Sequence, residues 1–249
     1  MKKKTPKLKS ASVKKAKVDD DRVPLGIDIL DAGMEGGLER NSVTLLAGSA
    51  GSGKSIFSAE FLYSGATKYN ESGLYICFEE KKESFFKHML RFGWDFDKLE
   101  KEKKIVFLEY TPEQVKKMIE EGGGTVEGIM SKYGIKRLVI DSVTAYTLLF
   151  KDEVSKKEAA LGLFELLRAW DVTSIVTGEF DEEDIENQRT GDVQFEADGV
   201  ILMYFIKEQN IRKRAIEILK MRGTKHAKKI FPMEITTQGI EISTSGAVF

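Results

Sequence analysis

The sequence predicts an α/β domain, with a mainly parallel central sheet, helices on both faces and antiparallel strands toward the C-terminus. Three observations carry that prediction. Apolar, β-prone runs alternate with segments of helical period through the first two thirds of the chain. The run 43–47 (VTLLA), the loop Gly48-Ser49-Ala50-Gly51-Ser52-Gly53-Lys54-Ser55 and the helical-period segment from Ile56 make one strand–loop–helix unit. The chain then closes on four alternating runs, 199–205, 214–221, 229–235 and 239–242, with no helical segment between them.

Taken in order, residues 1–21 carry almost no large apolar side chain and are expected to be a disordered tail. The folded domain is expected over 22–249. Leu25, Ile27, Ile29 and Leu30 suggest a short helix ended by Gly33, and Gly36-Gly37-Leu38 leads into the first core strand. After the glycine loop and its helix, Gly73 opens a strand over 74–78. A helix over 84–92 has Phe85, Phe86, Met89 and Leu90 on its apolar side, and 105–108 is a further strand. Thr111-Pro112-Glu113-Gln114 has the form of a helix start, with Thr as cap, Pro at the first position and Gln able to reach back. Gly122-Gly123-Gly124 divides that helix from one running to Tyr133. An apolar strand follows over 137–142. Ser155-Lys156-Lys157-Glu158 reads as a second capping box, opening a helix that carries Leu163, Phe164, Leu166, Leu167 and Trp170. The next strand is 172–177, and 181–198 is polar without a period.

Composition narrows the function classes. No apolar run approaches a membrane span and no secretory leader is visible. The only cysteine, Cys77, falls in an apolar strand; a disulfide framework is excluded and a reducing, cytoplasmic setting is expected. With two histidines and no Cys/His cluster, no zinc site is expected. The net charge of −1 combines +8 on residues 1–18 with −9 on the rest. The lysine-rich tail is thus either a solubilising arm or a contact for an acidic partner, anionic lipid or nucleic acid. Segment 181–198 carries eight acids against Arg189 alone, which argues against phosphate-backbone binding there.

The loop at 48–55 reads G-x-x-x-x-G-K-S, the phosphate-binding P-loop. Its glycines let backbone N–H groups turn inward, and the helix N-terminus adds partial positive charge. In this pattern Lys54 reaches the β- and γ-phosphates, and the Ser55 hydroxyl ligates Mg2+. Asp141, after the apolar run Leu138-Val139-Ile140 at a strand end, is the second metal anchor, with a turn or helix-capping Asp as the competing reading. Glu79 and Glu80 end another core strand, where ligands of open α/β sheets lie. One carboxylate there orients water for attack on the γ-phosphate; solvated acids are the alternative. Alternation along 214–222 sets Ile216, Ile218, Lys220 and Arg222 on one face, with His226 just beyond. Two cations ending an apolar face suit a phosphate supplied across a subunit boundary, or a solvated basic strand end.

Taken together, these residues resemble a single ATPase domain of the KaiC type within the RecA superfamily. The resemblance rests on Gly26-Ile27-Asp28-Ile29-Leu30 with Gly36-Gly37-Leu38, the P-loop, Phe78-Glu79-Glu80, Phe92-Gly93-Trp94-Asp95 and Ile140-Asp141-Ser142-Val143-Thr144. Its most specific part is Ile218-Leu219-Lys220-Met221-Arg222-Gly223-Thr224-Lys225-His226, and it spans about residues 22–242. It implies a RecA-like P-loop NTPase fold and a homo-oligomeric, hexameric ring that binds and hydrolyses ATP with Mg2+ between subunits. It also implies that Glu79 and Glu80 are the catalytic pair and that Lys220, Arg222 and His226 reach a neighbour's nucleotide. The clock proteins of this family have two tandem domains, and this chain has room for one. Gln194-Phe195 occupies the place of their phosphorylated Ser-Thr pair, which argues against autokinase activity. Two further readings share the same motifs: a nucleotide switch of the motility-accessory type with little turnover, and a RadA-like recombination or repair ATPase.

Overall fold

The structure, a computed structural model, describes residues 21–180 and 196–244. The tail expected at 1–21 therefore lies outside the described residues except for Asp21, as does most of the acidic segment 181–198, including Gln194-Phe195.

The chain runs through β1 (Arg22–Val23), α1 (Asp28–Gly33), β2 (Leu38–Glu39), β3 (Val43–Gly48), α2 (Lys54–Lys68) and β4 (Ser72–Cys77). It continues through α3 (Lys82–Leu90), α4 (Phe96–Lys101), β5 (Ile105–Glu109), α5 (Pro112–Glu120), α6 (Gly124–Tyr133) and β6 (Ile135–Asp141). Then come α7 (Val143–Thr147), α8 (Glu153–Ala169), β7 (Thr173–Glu179), β8 (Gly199–Glu208), β9 (Ile211–Met221), β10 (Phe231–Thr236) and β11 (Gly239–Ile242). Among the described residues the main sheet has nine strands in the order β11-β10-β9-β8-β3-β7-β6-β4-β5, and β1 pairs with β2 apart from it. From β8 to β5 all neighbours are parallel. From β8 to β11 they are antiparallel.

This is the mixed α/β fold that the alternating elements predict, and its layers follow from the strand period. Leu46, Tyr75, Val139, Ile175 and Ile201 point to one face and pack with Phe57 and Phe61 of α2. Leu45, Leu74, Leu138, Val176 and Leu202 point to the other and pack with Leu163, Phe164 and Leu167 of α8. Strand β3 is buried along its whole length, as a parallel strand covered on both faces must be.

Two polar ties cross these layers. Arg137 of β6 is fully buried. Its guanidinium donates to the carbonyls of Pro24 and Phe61 and to the Glu71 carboxylate, 2.7 Å away, and lies over the Phe61 ring. Glu60 of α2 accepts the Ile240 N–H of β11 at 2.9 Å.

Several local expectations are corrected. The capping box at Ser155 is absent: Asp152 is the cap of α8, accepting from the backbone N–H of Ser155, so the helix starts earlier. Asp152 precedes Ser155 by three residues and, as a carboxylate, suits the positive helix end better. The Thr111–Gln114 box does form, reciprocally. Leu90, placed on the apolar side of α3, is exposed. Alternation along β9 breaks at a bulge: Val200 pairs with Lys220 but Ile201 with Ile218, so Leu219 is the extra residue. Met221, not Lys220, thereby rejoins Ile216 and Ile218 in the core, and Lys220 turns to the other face.

Candidate nucleotide-binding site

The site lies at the C-terminal ends of the parallel strands, where loops leave the sheet and α2 begins. Gly48 closes β3 with no room for a side chain, since a Cβ there would sit 2.3 Å from the Met203 carbonyl oxygen. Gly53 caps α2 at φ +109°, a backbone region that other residues avoid. Residues 48–53 thus curl around the helix N-terminus, and a cavity of ≈ 440 Å³ opens in front of it. Ala50, Gly51, Lys54, Ser55, Glu79, Glu80, Asp141 and Glu179 all line that cavity.

Lys54 folds back over its own loop. Its ammonium donates to the carbonyls of Gly48 at 2.9 Å and Ser49 at 3.1 Å and stands 3.7 Å from Glu179. Burial lowers its pKa, opposed by the negative charges of Glu179, Asp141 and Glu79. Ser55 donates to Asp141 Oδ2 at 2.9 Å. The same carboxylate accepts from Tyr75 at 2.6 Å and from the Thr177 hydroxyl. Tyr75 on β4, Asp141 on β6 and Thr177 on β7 stand side by side on the face that α2 covers.

The two glutamates diverge, as adjacent residues leaving a strand must. Glu79 accepts from Ser142 at 3.5 Å. Its pKa is raised by burial first and then by the neighbouring charges of Asp141 and Glu179. Glu80 turns to α3, where its Oε1 accepts from Ser84 at 2.9 Å and meets His88 Nδ1 at 2.8 Å. Both still face the cavity.

A divalent cation fits the donor set. Ser55 and Asp141 are hard oxygen ligands set at the helix N-terminus, and Mg2+ is commonly held by one or two such groups plus phosphate oxygens and water. Among the described residues no cluster of three or more His, Cys, Asp or Glu is arranged to hold a metal alone, so phosphate would have to complete the shell.

Lys220, Arg222 and His226 do not line this cavity. Lys220 donates to the Ala197 carbonyl at 2.7 Å, Arg222 pairs with Asp198 at 2.9 Å, and His226 Nδ1 lies 3.0 Å from the Ala227 carbonyl. The anionic partner of Arg222 comes from the turn before β8 rather than from its own strand. Four further residues, which no sequence motif singles out, shape the site. Glu179 faces Lys54, and Tyr75 and Thr177 hold Asp141. Arg214 donates to the Gly51 carbonyl while stacked 4.3 Å from the Phe205 ring centre. Only Glu179, a polar residue ending an apolar strand, left a trace in the sequence.

Comparison with known proteins agrees with this geometry. The profile of the KaiC ATPase family matches residues 23–247. The chain is 31% identical over 233 residues to the circadian clock oscillator protein KaiC of Prochlorococcus marinus, covering 91% of this chain and 47% of that protein. It is 35% identical over 236 residues to the circadian clock protein KaiC3 of a Synechocystis strain, covering 92% and 46%. The chain thus spans about half the length of the curated relatives it matches. The crystal structure of a KaiC-like protein from the hyperthermophilic archaeon Pyrococcus horikoshii superposes with a TM-score of 0.79 at 34% identity, covering 89% of this chain and 98% of that one. A P-loop before α2, an aspartate-ended β6, the RecA-like sheet and the profile match together establish that this chain belongs to the KaiC ATPase family.

Proposed function

We propose that this protein binds ATP with Mg2+ in the cavity before α2 and hydrolyses it, working as a cytoplasmic homo-oligomeric ring, hexameric by family likeness, with nucleotide between subunits. The observation that carries the reading is the Ser55–Asp141 hydrogen bond at the mouth of the glycine loop, with Glu79 on the same cavity wall.

Each residue has a physical task in that reading. Backbone N–H groups of residues 49–55 cradle the phosphates at the positive end of α2. Lys54 leaves the Gly48 and Ser49 carbonyls for the β- and γ-phosphate oxygens. Ser55 and Asp141 hold the cation, which when bound neutralises charge on the β- and γ-oxygens. Glu79, with its raised proton affinity and a clear line to the cavity, orients the attacking water and accepts its proton. Glu80, tied to Ser84 and His88, fixes the turn that presents it. Arg222 and Lys220 bring positive charge to the nucleotide of the adjacent subunit, with His226 beside them; Arg222 exchanges Asp198 for a phosphate on assembly. Residues 22–249 form the catalytic domain, and residues 1–21 are an appended basic arm.

The test is purified protein with Mg-ATP, followed for phosphate release and for assembly by light scattering. Release together with ring formation is the expected result. ATP binding without release would make the site a nucleotide switch. Absence of nucleotide binding would overturn the reading.

A further inference from the structure

Tyr75 stands in a cluster of aromatic side chains. Its ring is stacked on Phe107 at 5.2 Å and tilted against Phe85 at 4.6 Å, and it is fully buried. A phenylalanine would fill that space equally well. The hydroxyl therefore adds nothing to the packing and carries the desolvation cost of a buried polar group unless it is bonded. Its partner is Asp141, at 2.6 Å. We propose that Tyr75 is a positioning residue of the cation site, its phenol holding the Asp141 carboxylate in the orientation that faces Ser55 and the incoming metal.

The donor arrangement explains how. An ionised carboxylate has about four acceptor positions. In Asp141, Oδ2 receives the hydroxyls of Tyr75 and Ser55, and Oδ1 receives Thr177. Three donors on three separate elements fix both rotation and tilt of the group. Roughly one acceptor position is left for a metal-bound water. Ser55 can offer its oxygen to the cation and keep donating its proton to Asp141. It is then the least rigid of the three anchors, because it acquires a second duty. Tyr75 has none, and its ring is locked by its neighbours. A side chain whose geometry must survive ligand arrival needs such outer support. Thr177 is a shorter lever, from a strand that also carries Glu179 into the cavity.

This inference rests on the cation-assisted reading of the site, and the experiment separates the two. Mn2+, with ADP, is titrated into wild type and Tyr75→Phe and followed by electron paramagnetic resonance. The expected result is about tenfold weaker Mn2+ affinity in the variant, with ADP affinity in a metal chelator unchanged and the circular dichroism spectrum retained. The same comparison is made in the Asp141→Asn background, where Tyr75→Phe is expected to have no further effect, since the phenol acts through that carboxylate. A general packing role would lower Mn2+ affinity equally in both backgrounds, and that outcome overturns the inference. So does equal Mn2+ affinity in wild type and Tyr75→Phe, which leaves the cation site itself standing. Failure of wild type to bind Mn2+ with ADP overturns the site reading and the inference together.

Discussion

Lys54 and Glu179 face each other across the glycine loop, ammonium to carboxylate at 3.7 Å, the lysine almost fully buried and the glutamate half exposed. The carboxylate stands where phosphate charge would enter, so it is both a holding partner for the lysine and a repulsive neighbour for the ligand. Lys54→Ala is expected to weaken ATP binding by tenfold or more, about 1.4 kcal/mol or above, through loss of a charge-assisted contact. Glu179→Gln is expected to tighten it by a few fold, on the order of 1 kcal/mol or less. Calorimetric titration of the two variants checks both signs; weaker binding by Glu179→Gln would show that the glutamate serves the ligand instead.

Glu79 and Glu80 are expected to separate by mutation. Glu79→Gln should abolish most phosphate release, about 100-fold or more for loss of a water-orienting base. Glu80→Gln, which keeps a hydrogen-bond acceptor for Ser84, should cost less. Because burial and the charges of Asp141 and Glu179 raise the Glu79 pKa, the active carboxylate form is lost as pH falls toward that raised value. The acid limb of the rate profile is therefore expected above the ordinary carboxylate range, and should vanish in Glu79→Gln. A limb at the unshifted position would remove Glu79 from that role.

Arg222 is expected to act on a neighbouring subunit. Arg222→Ala and the Glu79/Glu80 double glutamine variant should each be inactive alone. Mixed after subunit exchange, they should regain a fraction of wild-type phosphate release, because some interfaces then combine an intact glutamate pair with an intact arginine. Mixed rings without any recovered activity would assign Arg222 to its own chain.

Glu60 links proton binding to stability. Burial raises its pKa from 4.5 to about 7, partly offset by the Ile240 N–H and by Lys68. An acid with a raised folded-state pKa binds its proton more tightly when folded. The contribution of Glu60 to stability is thus greatest below 4.5 and is lost progressively as pH rises through about 7. Asp31, raised to about 6 by burial, slopes the same way. Glu60→Gln keeps the acceptor for Ile240 and is expected to flatten that loss by roughly 1–3 kcal/mol. Denaturant unfolding at about pH 5 and about pH 8 measures it; an unchanged difference would remove Glu60 as its source.

The parts of the fold that are local in sequence were legible. The glycine loop, the Thr111–Gln114 box and the aspartate ending β6 each declare themselves within a few residues. Short helices such as α4 and α7 did not, because one or two turns are too brief for a period to emerge. The placement of Lys220 failed for a different reason: one extra residue at Leu219 reverses every side chain beyond it, and nothing in the composition marks that slip. The network around Asp141 was out of reach because β4, β6 and β7 meet only through crossovers. Tyr75 is 66 positions from its partner, and Thr177 is 36.

The buried Arg137 has a consequence for how the molecule comes apart. Its guanidinium grips the Pro24 carbonyl, the Phe61 carbonyl and Glu71 at once. Peeling the start of the domain from the sheet takes the Pro24 carbonyl away from a buried guanidinium that stays paired with Glu71, a loss of about 1.5–3 kcal/mol for a hydrogen bond to a charged group. Residues near 24 and the helix that begins at Lys54 therefore share one opening transition. Amide hydrogens at both places should exchange through the same cooperative event, and the segment ahead of the glycine loop is mechanically part of the nucleotide site although it contributes no side chain to the cavity.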